Sequence, residues 1–97
     1  MSKKRSLSAS KDSTEIAFSR KFREDLQYWV KTDRKTALRL LDIVDAIERD
    51  PFKGIGKPEP LKFAGSDLWS RRLTQEHRIV YLVEHEKVYF LAARFHY

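Results

Sequence analysis

Ninety-seven residues, 41% hydrophobic and 35% charged, allow one small folded domain; a second catalytic domain does not fit, and no apolar run approaches the ~18 residues of a bilayer helix. Twenty Lys and Arg against fourteen Asp and Glu leave a net charge of +6, which points to an anionic partner such as nucleic acid rather than a membrane interior. With no cysteine, disulfides, a thiol nucleophile and Cys-ligated zinc are excluded, and a reducing, cytoplasmic setting is expected.

Residues 1–13 carry Lys3, Lys4, Arg5 and Lys11 against Asp12, with five serines and Leu7 as their one large apolar residue other than Met1. Such a segment buries too little to order itself and is expected to be a flexible basic tail, without the apolar stretch of a secretory signal. It holds half of the net charge. The folded domain is expected over 14–97.

Alternation of Ile16 and Phe18 with Glu15 and Ala17 predicts a short strand over 14–19. Phe22, Leu26, Trp29 and Val30 then recur at helical spacing and predict a helix over about 20–31. Thr32 and Asp33 supply a break and an N-cap. A second stripe of Ala37, Leu40, Leu41, Val44 and Ile47 runs to Asp50, where Pro51 stops it. Arg34, Lys35, Arg39, Asp42, Asp45 and Arg49 fall off that stripe and predict a solvated, mixed-sign face. Residues 51–67 contain all three prolines and all three glycines and read as a long connection, of the kind that is usually functional. Three strands follow, over 68–74, 78–84 and 88–95. The expected fold is α+β: two helices on one face of a four-stranded, mainly antiparallel sheet.

The chemistry concentrates in the second half. Residues 51–82 hold Lys53, Lys57, Lys62, Arg71, Arg72 and Arg78 against Glu59, Asp67 and Glu76, the density of cations that a phosphate-tracking surface needs. Glu59 stands between Pro58 and Pro60, which hold its backbone extended and stiff. The carboxylate is then either a positioned general base or an exposed acid paired with Lys62. The chain closes on Arg94-Phe95-His96-Tyr97, an imidazole and a phenol at the end of a strand. His96 is a natural proton donor or acceptor near neutrality, unless it is incidental. The three histidines lack metal-ligand spacing, no acidic cluster resembles a two-metal nuclease, and neither a P-loop nor GxGxxG occurs. Trp29 and Trp69 read as core or interface, with base stacking left open for Trp69.

Gly56-Lys57-Pro58-Glu59-Pro60-Leu61-Lys62, Trp69-Ser70-Arg71-Arg72, Glu76-His77-Arg78-Ile79-Val80-Tyr81 and the closing His96-Tyr97 together resemble the YoeB/Txe family of bacterial toxins, in the RelE/ParE superfamily. Only the tail over 1–13 lies outside that likeness, and Phe95 stands where a tyrosine is common. The resemblance implies a ribosome-dependent mRNA endonuclease of a type II toxin–antitoxin system, cutting in the A site without a metal or other cofactor. Glu59 would take the proton from the ribose 2′-hydroxyl, Arg78 would stabilise charge on the phosphate, and His96 would protonate the leaving 5′-oxygen. Tyr97 would orient the substrate, with Lys62 and Arg72 supplementing the phosphate contacts that composition also assigns to Lys57 and Arg71. Products would be a 2′,3′-cyclic phosphate and a 5′-hydroxyl. The implied partners are the ribosome with its 16S rRNA, mRNA, a YefM-type antitoxin and, in some members, a second copy of the chain. Two rival readings share the scaffold: a noncatalytic inhibitor like the ParE branch, which lacks the combined Glu, Arg and His-Tyr set, and a plain RNA- or protein-binding module.

Overall fold

The computed structural model describes residues 14–62 and 67–94. In chain order they form β1 (Glu15–Phe18), α1 (Arg20–Thr32), α2 (Arg34–Arg49), β2 (Glu59–Pro60), β3 (Leu68–Arg72), β4 (Arg78–Glu84) and β5 (Lys87–Ala92). The strands make one sheet in the order β1-β5-β4-β3-β2. Both helices pack on one face of it.

Local chemistry sets the helix ends. The Ser19 hydroxyl accepts from the Phe22 N–H at 3.0 Å and caps α1, while donating to the Leu91 carbonyl at 2.9 Å and so tying the cap to β5. Asp33 caps α2 through the Thr36 N–H at 3.2 Å and the Thr36 hydroxyl at 2.9 Å, as its position after Thr32 predicted. Phe22 and Trp29 from α1, and Ala37, Leu40, Ile43, Val44 and Ile47 from α2, close over Leu73, Ile79, Tyr81, Val83, Val88 and Phe90 of the sheet side. Two residues expected on the stripes lie outside: Val30 is 47% and Leu41 43% exposed. On a 3.6-residue helix the line through Ala37, Leu40, Val44 and Ile47 takes in Ile43, whereas Leu41 turns about 100° from Leu40 towards solvent. The off-stripe face is not wholly solvated either, since Arg39 Nε donates to the Leu73 carbonyl at 2.8 Å.

The sheet has five strands rather than the expected four and is mainly antiparallel as expected, one of its four pairings being parallel. β1 pairs parallel with β5, Glu15 opposite Lys87 and Phe18 opposite Phe90, whereas β2–β3, β3–β4 and β4–β5 are antiparallel. Alternation identifies β1 as a strand but not its partner. The extra strand, β2, is only two residues long and lies inside the proline-rich connection. Proline is tolerated there because β2 is an edge with one neighbour. Leu61 N–H donates to the Leu68 carbonyl at 2.7 Å and continues the pairing. β3 ends before the predicted 74 because the Leu73 and Thr74 N–H groups both turn onto the His77 carbonyl, at 2.9 and 3.1 Å.

Candidate active site

Register decides which side chains share a face. Glu59 lies opposite Ser70, and Arg72 opposite Arg78; residues two apart on a strand point the same way. Glu59, Ser70, Arg72 and Arg78 therefore gather on the sheet face away from the helices. There the Arg78 guanidinium donates through Nη1 to Glu59 Oε1 at 3.2 Å and to the Ser70 hydroxyl at 3.1 Å. The Glu59 side chain remains 58% exposed and that of Arg78 22%. An acid open to solvent is thus held beside a half-buried cation. Ser70, itself buried, fixes the guanidinium from below; it lies within one of the motifs, but only the register reveals its contact.

Of the expected phosphate contacts, Arg72, Lys57 and Lys62 are exposed. Arg72 is tied through its backbone, its N–H donating to the Gly56 carbonyl at 2.6 Å. Lys57 has φ of 52°, a left-handed conformation at the bend leading into Pro58-Glu59. Arg71 requires a correction. Its side chain is fully buried on the helix-facing side, opposite Ile79. Nε donates to the Tyr81 hydroxyl at 3.1 Å, Nη1 to the Ile55 carbonyl at 3.1 Å, and Nη2 to the carbonyls of Asp50 and Lys53 at 2.6 and 3.0 Å. A phosphate in solvent does not reach it. Adjacent arginines on a strand point to opposite faces, and here the even-numbered one is outside.

His96 and Tyr97 lie outside the described residues. The segment that leads to them is anchored by α1. The Ala93 N–H donates to Asp25 Oδ2 at 2.9 Å, the Trp29 indole N–H donates to the Ala93 carbonyl at 2.8 Å, and the Arg94 guanidinium stacks 3.6 Å from the Tyr28 ring centroid. Lys21 Nζ pairs with the other Asp25 oxygen at 2.7 Å. Asp25 escaped the sequence reading because acids on a helix are ordinarily solvated. The available signal was its place on the Phe22–Leu26–Trp29 face, where a carboxylate needs a buried donor. Trp29 is core, as expected. Trp69 is half-buried with Phe52 against it, ring centroids 5.0 Å apart. Among the described residues no three His, Asp or Glu side chains converge as a metal site requires, and no helix is long and apolar enough to cross a membrane.

A family model described as the YoeB-like toxin of bacterial type II toxin–antitoxin systems matches residues 18–97. The chain belongs to the YoeB family of toxins. It is 51% identical over 74 residues to the toxin YoeB of Mycobacterium bovis, covering 76% of this chain and 87% of that one. Among solved structures, the YoeB dimer from Staphylococcus aureus superposes with a TM-score of 0.78 at 34% identity, over 86% of this chain and 97% of that one. The heterotetrameric YoeB–YefM toxin–antitoxin complex from the same organism gives 0.75 at 34%, with the same shares covered. The YoeB fold, two helices against a mixed five-stranded sheet, is what the register above describes.

Proposed function

We propose that this YoeB-family toxin is a ribosome-dependent mRNA endonuclease that works by acid–base catalysis on the RNA strand displayed in the A site. The observation that carries the reading is the bond between Glu59 and Arg78, which puts a proton acceptor and a phosphate-binding cation on one solvent-facing patch. An incoming phosphate competes for the guanidinium and releases the carboxylate, so the ion pair of the free protein is a resting state of the same groups. Glu59 then accepts the 2′-hydroxyl proton while the 2′-oxygen attacks phosphorus. Arg78 stabilises the charge building on the phosphoryl oxygens. The phosphorus–5′-oxygen bond breaks and His96 gives the leaving oxygen its proton, yielding a 2′,3′-cyclic phosphate and a 5′-hydroxyl. Tyr97 orients the substrate, as the family resemblance implies, and the exposed cations Arg72, Lys57 and Lys62 hold neighbouring phosphates. No step calls for a metal.

Control follows from the same charge. A YefM-type antitoxin with acidic residues and apolar anchors would order itself across the cationic patch by coupled folding and binding. The Staphylococcus relatives, solved as a dimer and as a YoeB–YefM heterotetramer, support an antitoxin and a second copy as partners. The deciding experiment is single-turnover cleavage on programmed ribosomes by wild type, Glu59→Gln and His96→Ala. Loss of cutting with ribosome binding retained is expected. Undiminished cutting by both variants would sink the reading, and binding without cutting by the wild type would favour the noncatalytic alternatives.

A further inference from the structure

We propose that Arg71 is a positioning residue for Glu59, with Tyr81 as its partner: together they form the peg on which the α2–β2 connection hangs and from which the general base is delivered. The inference rests on the role given to Glu59 above.

A buried guanidinium is costly unless its donors are satisfied. Arg71 engages four of its five N–H donors with oxygens that are all neutral: the Tyr81 hydroxyl and the carbonyls of Asp50, Lys53 and Ile55. Tyr81 in turn donates to the Pro51 carbonyl at 2.7 Å. Four carbonyls between residues 50 and 55 thus hang on two side chains, and the Gly56 carbonyl is held by the Arg72 N–H at 2.6 Å. Only Lys57 and Pro58 separate this last anchor from Glu59, which itself pairs with Ser70, the neighbour of Arg71.

The connection is shaped around the guanidinium. Gly54 has φ of +132°, and a Cβ there would stand 2.9 Å from Arg71 Nη1. Gly56 has φ of +84°, and a Cβ there would stand 3.0 Å from the Arg72 carbonyl and 3.2 Å from Arg71 Cβ. Glycine is required at both for space and for backbone conformation. A connection of this length without helix or long strand has many conformations to lose. The planar fork of arginine collects several carbonyls at once, which lysine, a point donor, cannot do. Arg71 therefore contributes to the reaction without touching RNA, by fixing where the carboxylate stands.

The test is a double-mutant cycle on programmed ribosomes with the full chain. Arg71→Lys and Tyr81→Phe are each measured alone and on Glu59→Gln, after circular dichroism and ribosome binding confirm the fold. Arg71→Lys should lower the single-turnover rate at least tenfold and Tyr81→Phe severalfold, with half-saturation by ribosomes within about twofold of wild type. On Glu59→Gln neither should lower the residual rate further. An equal loss in both backgrounds would overturn the inference, as would weakened ribosome binding at an undiminished rate, which is the signature of a phosphate contact. If Arg71→Lys does not fold, the near-isosteric Tyr81→Phe carries the same cycle. Wild-type cutting by Glu59→Gln would instead remove the catalytic reading itself, a result separable from any behaviour of Arg71.

Discussion

Replacing Asp25 by alanine should be one of the most damaging single changes on α1 although it removes no apolar surface. The carboxylate is buried, and its Oδ2 is the acceptor for the Ala93 N–H at 2.9 Å. Deleting it leaves that donor inside the protein without its partner, and a hydrogen bond to a charged group is worth about 1.5–3 kcal/mol. The second contact, to Lys21 at 2.7 Å, adds less because the lysine side chain is 48% exposed; such a pair contributes about 0–1 kcal/mol. The expected loss is therefore about 3 kcal/mol, which in a domain of this size lowers the thermal midpoint by roughly 12–24 °C. Asp25→Asn keeps an acceptor for Ala93 and gives up only the charge, so it should cost about 1 kcal/mol. Urea unfolding followed by circular dichroism reads both variants, as a shifted midpoint at unchanged slope. A loss below about 0.5 kcal/mol for Asp25→Ala would refute the reasoning. Equal damage from both variants would show that charge, rather than the bond to Ala93, is what matters.

Glu59→Gln should change stability by less than about 1 kcal/mol, since the carboxylate that pairs with Arg78 is 58% exposed, while cleavage falls by orders of magnitude; a large stability loss would make the pair structural. If Glu59 is the base and His96 the acid, as proposed, cleavage should depend on pH as a bell, and a monotonic rise between about pH 5 and 9 would contradict that pairing. Burial pushes the Tyr81 phenol above its ordinary value, against the opposing pull of Arg71. Its folded pKa therefore lies above the unfolded one, so its contribution is fully present below about pH 10 and fades as pH climbs through the folded value. Tyr81→Phe should then lose less stability than wild type between neutral and strongly alkaline pH, and identical slopes would contradict this. Ile43→Ala, at a fully buried site, should cost about 2–5 kcal/mol, whereas Leu38→Ala, 59% exposed, should cost far less; equal losses in urea unfolding would refute the assigned core.

Much of the fold was legible because helices announce themselves locally. The stripes of α1 and α2 and the Asp33 cap depend on neighbours three or four residues away. What stayed hidden depends on distant partners. Nothing near Ile16 says that β1 pairs with β5, and nothing in Pro-Glu-Pro says that an edge strand begins there. The site divides in the same way. Glu59 stood out by its bracing prolines, and Arg78 lies in a resembling motif, but their meeting across 19 residues is a consequence of register. Arg71 and Arg72 are chemically identical neighbours, and alternation separates them without saying which one is inside. Only the packing of Ile79 and Tyr81 against the helices settles it.

The place of β5 in the sheet has a consequence for the history of each molecule. Although it is the last strand in chain order among the described residues, it lies between β1 and β4, and the anchors of α1 converge on its carbonyls and the residue that follows. Ser19 bonds to Phe90 and Leu91, and Asp25 and Trp29 both bond to Ala93. A polypeptide still short of these residues lacks Val88, Phe90 and Ala93 from the core under the helices and has a first strand with nothing to zip against. Completion of this fold therefore waits for β5 during synthesis, and a product truncated before residue 87 should be a protease-labile, inert fragment.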